Sequence, residues 1–143
     1  EAAADSMGVV VSRAPVSTAT DINRAIDSFA DSQPGGLVIL PSVPAIKNRD
    51  LIFAGAAGHK LPAIYPYRAF SLNGGLTSYG VDTLDMYRCA ANYIARILKG
   101  EKPVNMPVQF ATRFEFVINL KAAKKIDLTV PASELLNATE VIE

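Results

Sequence analysis

The side chains best suited to chemistry lie between residues 61 and 80, which read LPAIYPYRAFSLNGGLTSYG. Tyr65 and Tyr67 offer aromatic faces with a polar tip, and Arg68 offers a guanidinium fork that matches a carboxylate. Ser42 follows the apolar run GLVILP and offers a hydroxyl at a predicted helix start. These residue types suit the binding of a small solute. Each also has a structural interpretation, because tyrosines pack, serines cap helices and arginines can be solvated surface charges.

Patterns typical of catalysis or metal binding do not occur in the sequence. It contains no zinc-ligand spacing, no Gly-rich phosphate loop and no nucleophile elbow. His59, the single histidine, follows a predicted helix end, where an imidazole favours an interaction with the helix dipole. Cys89, the single cysteine, is predicted on an apolar helix face as an inert packed thiol. We therefore expect no enzyme activity, no cofactor and no metal.

Composition narrows the classes of partner. Fourteen basic and fourteen acidic side chains are scattered along 143 residues, so no basic patch for nucleic acid is predicted. The longest apolar runs fall far below the roughly 20 residues that span a bilayer. Half of the residues are hydrophobic, which is enough for one sizeable core.

The order of the predicted elements indicates how the candidate residues are positioned. Three short apolar or β-branched runs predict strands, at residues 8–13, 37–40 and 62–65. Capped amphipathic segments between them predict helices, one starting at Thr18 with Asp21 in a capping box, and one running from Ser42 to about Gly58. Connections this short predict a right-handed parallel βαβαβ unit over residues 8–66. The candidate residues then follow the carboxyl ends of strands, where ligands bind in such sheets.

The C-terminal part predicts three further elements. A long helix begins at Asp82 and ends before Gly100, with a single polar stripe, so we expect it to be buried around most of its circumference. A strand is predicted over residues 114–119 and a short helix over about 120–126.

Several motifs in fixed order resemble the C-terminal half of ABC-transporter substrate-binding proteins of the tryptophan/tyrosine-binding-like type. They are LPAIYPYRAFSLNGGLTSYG, the helix closing with ILKGEKPVNMPVQ, and FEFVINLKAAKKIDLTVP, and the resemblance covers nearly the whole chain. It implies a periplasmic-binding-protein type I fold, which is α/β, Rossmann-like and three-layered, with a parallel sheet and helices on both faces. Two such lobes close over a small solute.

The resemblance also implies a division of the chain. Residues 1–143 would be the C-terminal portion of such a protein, with residues 1–76 and about 108–132 in the second lobe. The helix within about 82–105 would pack on the first lobe, whose N-terminal part is absent from this sequence.

The same resemblance extends the candidate site to a hinge. Tyr79 and Gly80 would lie close to the solute in an extended crossing segment, preceded by the permissive pair Gly74 and Gly75. Asp127 stands in KKIDLTVP where relatives are expected to have glycine, at a helix end that commonly needs a left-handed residue.

Three functions follow as hypotheses. The leading one is the solute-binding component of an ABC importer, periplasmic or anchored at the cell surface, which captures an amino-acid-like or aromatic solute and delivers it to the permease subunits. The alternative is the effector-sensing domain of a lac-repressor-like regulator, which an upstream helix-turn-helix would indicate. An enzyme on a flavodoxin-like scaffold is the weakest. A homodimer that forms through exposed lobe surface is a further hypothesis.

Overall fold

The computed structural model describes Ala4, residues 6–32 and residues 35–143. Helices and strands alternate along most of this part of the chain. In order, they are α1 (Ala19–Ser32), β1 (Leu37–Val38), α2 (Val43–Lys47), α3 (Arg49–Gly58), β2 (Ala63–Tyr65), α4 (Arg68–Leu72), β3 (Thr77–Val81), α5 (Thr83–Leu98), a 3₁₀ turn (Pro103–Asn105), β4 (Phe114–Asn119), α6 (Leu120–Lys125), α7 (Ala132–Asn137) and β5 (Glu140–Ile142). None of the helices in these ranges is both long and apolar enough to cross a bilayer.

The strands form one five-stranded sheet in the order β1-β2-β3-β4-β5. The pairs β1/β2, β2/β3 and β4/β5 are parallel, and β3/β4 is antiparallel. The predicted α/β class is therefore confirmed, with one antiparallel pair that the sequence did not predict. That pair forms because the chain leaves the sheet after β3 and returns directly beside it along β4.

The core lies on one face of this sheet, between β2 and the helices α1, α3 and α4. Tyr65 is 2% exposed and packs edge-on against Phe53 at 5.1 Å and stacked on Phe70 at 5.4 Å between ring centroids. Ile22 and Ile26 on α1 complete this cluster, so the apolar stripe predicted for that helix is the face that packs. Burying each of these large side chains contributes about 1.5–3 kcal/mol.

Side-chain caps begin several helices where the sequence predicts them. At α1, Thr18 Oγ1 accepts a hydrogen bond from the Asp21 amide, and Asp21 Oδ2 accepts one from the Thr18 amide. The hydrogen bond from the Thr18 hydroxyl is the main cause that lowers the pKa of Asp21. Asp82 caps α5 by accepting from the Asp85 amide at 3.0 Å. These local contacts confirm the predicted starts of both helices.

The strand expected at residues 8–13 is not formed. Residues 9–17 have no regular secondary structure, and Val10 is 90% exposed. In the described sheet, β1 pairs only with β2, so the β-branched run has no pairing partner. Strand propensity depends on packing against neighbours, and without them the prediction from residue type was wrong. The parallel unit therefore begins at β1 in the described chain.

The predicted helix from Ser42 is interrupted. Asn48 has a non-helical conformation, and its side-chain amide donates to the Pro44 carbonyl at 2.9 Å, so α2 ends and α3 begins there. An asparagine that bonds a neighbouring backbone group offers an alternative to the helical pattern.

Residues 82–113 form an excursion that leaves the sheet after β3 and re-enters at β4. Its two ends are joined by a hydrogen bond from the Asp82 amide to the Arg113 carbonyl at 3.0 Å. Within it, α5 is held to the returning segment through Tyr93, whose hydroxyl donates to the Pro107 carbonyl. The excursion is thus a closed loop tied to the sheet by two adjacent strands.

The expected burial of α5 is not met within the described chain. No residue of α5 is buried, and its apolar side chains Leu84, Tyr87 and Leu98 are all largely exposed. The periodicity correctly predicts an amphipathic helix, but it does not show what covers the apolar face.

Asp127 adopts the left-handed conformation expected at this helix end, with φ of 56°. Its carboxylate forms an ion pair with Lys60 at 2.5 Å, and this contact lowers the pKa of Asp127 and raises that of Lys60. The ion pair links the loop after α6 to the loop after α3.

Candidate functional site

The parallel arrangement of β1, β2 and β3 brings the segments after their carboxyl ends to one edge of the sheet. Because β4 is antiparallel to β3, the first residues of β4 reach the same edge, and the start of β5 lies beside β4. We call this region the carboxyl edge; it comprises residues 40–42, 66–68, 79–82, 114–116 and 139–140. Loops and helix starts meet at such an edge, which is where ligands bind in open α/β sheets.

Ser42 lies at the carboxyl edge as the cap of α2. Its Oγ accepts a hydrogen bond from the Ala45 amide at 3.3 Å. The hydroxyl is therefore already used in starting this helix, and a solute would share it with the backbone.

The two tyrosines of the predicted site have different environments. Tyr65 lies in the hydrophobic core, and burial raises the pKa of its phenol well above the usual value. Tyr67 is half-buried and packs at 6.3 Å from Phe70 between ring centroids. Both side chains pack on the core cluster, and Tyr67 is the less buried because it lies beyond the end of β2, at the margin of that cluster.

Arg68 is engaged by two carboxylates. Its Nε and Nη2 lie 2.8 Å and 2.6 Å from Glu140 Oε2, and Nε lies 3.9 Å from Glu115 Oε1. The three side chains are partly buried, and they connect α4 with β4 and β5. The guanidinium predicted to bind a solute carboxylate is therefore compensated by protein carboxylates.

At Gly80, the backbone of β3 lies very close to the backbone of Pro66. It pairs with Glu115 across β3 and β4, and a Cβ added at Gly80 would lie 1.9 Å from the Pro66 carbonyl oxygen. No side chain fits in that space. The absence of a side chain brings the end of β3 directly against the turn that carries Tyr67 and Arg68.

Three aromatic side chains lie together on the face of the β3/β4 pair opposite to Gly80 and Glu115. We call them the edge aromatic cluster: Tyr79, Phe114 and Phe116. Tyr79 stacks on Phe114 at 5.8 Å with an interplanar angle of 8°, and meets Phe116 edge-on at 6.4 Å. Tyr79 is 56% exposed and Phe114 is 49% exposed. The cluster therefore presents flat ring surface to solvent beside the site.

The sequence identified Tyr79 but not Phe114 and Phe116, the other two members of the edge aromatic cluster. The signal for them is the period of two in FEFVIN, which puts Phe114 and Phe116 on one face of a strand and Glu115 on the other. Glu140 carried no such signal, because it lies 72 residues from its partner Arg68.

Other features of the described residues do not add a second site. No group of three or more His, Cys, Asp or Glu side chains in the described ranges is arranged to hold a metal ion. An apolar cavity is lined by α3, α6, β2 and the segments that adjoin them, with Phe53, Leu61 and Ile126 among the lining residues. None of the predicted site residues except the buried Tyr65 contributes to its lining.

One protein-family model matches nearly the whole sequence. The model of the family described as ABC transporter substrate binding protein matches residues 1–142. No curated protein matches the sequence.

Three solved structures have a similar fold. A conserved domain protein from Vibrio cholerae O1 biovar El Tor has a TM-score of 0.84 and 24% identity, covering 98% of this chain and 47% of that one. The ABC domain in complex with L-Trp from Streptococcus pneumoniae has a TM-score of 0.84 and 26% identity, covering 99% and 48%. A ligand-free, open substrate binding protein with adhesive properties from Clostridium difficile has a TM-score of 0.68 and 19% identity, covering 99% and 47%. The chain thus spans about half the length of these structures.

Proposed function

Because the chain belongs to the ABC transporter substrate-binding protein family, we propose that it is one lobe of a two-lobe receptor that captures a solute for an importer. The observation that carries this proposal is the family match over residues 1–142. The family is one of solute-binding proteins rather than enzymes, which favours the receptor over the regulator and over a flavodoxin-like enzyme.

The excursion supports the proposed division into lobes. Residues 1–76 and about 108–132 belong to the lobe built around the sheet, and the helix within about 82–105 packs on the other lobe. The apolar side chains that α5 exposes within the described chain need a covering surface of this kind. The chain spans 47–48% of the matched structures, so their remaining length is sufficient to supply it.

The solute binds at the carboxyl edge, facing the other lobe. We assign the contacts with the solute to Ser42, Tyr67, Arg68, Tyr79 and Gly80 at this edge, whereas Tyr65 supports the edge from within the core. The solute is amino-acid-like or aromatic, since tyrosines provide ring surface, and a similar structure at 26% identity is a complex with L-Trp.

Binding works through closure. A solute that contacts both lobes at once stabilises the closed arrangement, because its contacts are more numerous there than in the open one. The β3/β4 pair carries the chain between lobes and absorbs the rotation. The closed receptor, at the cell surface or in the periplasm, then engages the permease subunits.

Calorimetry on the intact protein tests this proposal, with native mass spectrometry of freshly purified protein to detect a bound solute. We expect L-tryptophan or another amino acid to bind, and residues 1–143 alone to bind it much more weakly. Failure of the intact protein to bind any of the twenty amino acids, with no co-purifying solute, would refute the proposal.

A further inference from the structure

The edge aromatic cluster is one of two aromatic clusters in the described chain, and the two differ in burial. Phe53, Tyr65 and Phe70 are packed into the core, whereas Tyr79 and Phe114 keep about half of their surface exposed. Both clusters contain similar side chains, so residue type does not explain the difference. The difference lies in position, since the exposed cluster is at the carboxyl edge.

The face that carries the cluster is uncharged. Along the β3/β4 pair, this face is formed by alternating residues of both strands, namely Thr77, Tyr79, Val81, Phe114, Phe116 and Ile118. Glu115 and its partner Arg68 lie on the other face. A surface that offers ring faces and no counter-charge suits an apolar planar group better than an ammonium or carboxylate.

The contacts of Arg68 with Glu140 and Glu115 also indicate that the ring of the solute, rather than its charged groups, is recognised here. A solute carboxylate would have to displace Glu140 from contacts of 2.6 Å and 2.8 Å before it could use the guanidinium. The charged groups of an amino-acid solute therefore gain little from this arginine.

We infer that Phe114 and Phe116, together with Tyr79, bind the aromatic ring of the solute and determine specificity for it. The inference rests on the proposed function and adds the residues that select the ring. A planar side chain stacks on the exposed ring faces of Tyr79 and Phe114, and Phe116 fixes the orientation of Tyr79 through the edge-on contact. An aliphatic side chain gains contact area there but no stacking.

The test compares L-tryptophan with L-leucine in calorimetry on the intact protein carrying Phe114→Leu. Stacking contributes beyond burial of area, so we expect the dissociation constant for tryptophan to rise about three- to ten-fold. The constant for leucine should stay within about two-fold, so the preference for the ring is lost. Phe114→Tyr keeps the ring and should keep the affinity for tryptophan.

Phe110→Leu is the matched control, since Phe110 is an exposed phenylalanine outside the carboxyl edge. It should change neither constant. Wild-type tryptophan affinity in a folded Phe114→Leu protein would overturn the inference while the receptor function stands, and so would an equal loss for both amino acids. If Phe114→Leu does not fold, a loss of tryptophan affinity in the folded Phe114→Tyr protein would overturn it instead. Absence of binding by the wild-type protein would overturn the proposed function itself.

Discussion

Replacing Gly80 with alanine tests how the carboxyl edge is built. The added Cβ would lie 1.9 Å from the Pro66 carbonyl oxygen and 3.0 Å from its carbonyl carbon. Real Cβ atoms do not approach other atoms within 3.0 Å, so the two segments must separate by about 1 Å. Both segments are backbone, one in a strand and the other in a turn, so neither can move aside as a flexible side chain can. We therefore expect a destabilisation at the upper end of the overpacking range, about 3 kcal/mol.

Urea unfolding followed by circular dichroism measures this cost. With a slope of about 2 kcal/mol per molar urea, the midpoint should fall by about 1.5 M. Gly58→Ala is the matched control, because no atom lies within 4 Å of its added Cβ and it is at a helical position. That substitution should stabilise the protein by about 0.5–1 kcal/mol. If Gly80→Ala equals the wild type in stability, the close approach is not real and the placement of Tyr67 and Arg68 fails with it.

Three further predictions concern the core and the loops. Asn119 caps α6 and donates to the buried Ser71 carbonyl at 2.9 Å, so Asn119→Ala should lower the free energy of unfolding by about 2 kcal/mol. Asn119→Asp keeps the cap but puts a buried carboxylate oxygen against that carbonyl, so it should be at least as destabilising. Burial raises the pKa of Tyr65. The stability that the buried neutral phenol contributes is therefore complete below pH 10 and is lost as the pH rises towards the folded-state pKa. Tyrosinate absorbance should show one of the five phenols ionising only with unfolding, and Tyr65→Phe should remove that step. The Lys60 contact lowers the pKa of Asp127, so the contact stabilises above the ordinary pKa and is lost in acid. Asp127→Asn should therefore be slightly less stable than the wild type at pH 7 but equal to it near pH 2, measured by thermal unfolding.

Features decided by neighbouring residues were predictable from the sequence. The cap pairs at Thr18 and Asp82 each depend on a side chain and a backbone amide three residues apart, and both are confirmed. The left-handed conformation of Asp127 likewise follows from its position just after a helix. Because these features depend on residues close together in the chain, the local sequence was enough to predict them.

Features decided by distant residues were not predictable. The run at 8–13 has the composition of a strand, but a strand needs a neighbour, and the sheet supplies none to it in the described chain. The partner of Arg68 is separated from it by 72 residues, so its charge compensation required the pairing of β4 with β5. The same limit applies to Phe114, whose place beside Tyr79 follows from an antiparallel pair that the motif analysis did not predict.

The hydrogen bond between the Asp82 amide and the Arg113 carbonyl has a consequence for how the molecule can be re-engineered. Paired strands lie about 5 Å apart. If residues 83–112 were removed, a short β-turn could therefore join Asp82 to Arg113 without moving either strand. The shortened polypeptide would keep all five strands and would lack the helix whose exposed apolar side chains promote aggregation. Refolding of this shortened chain would show that the five-stranded sheet forms without residues 83–112.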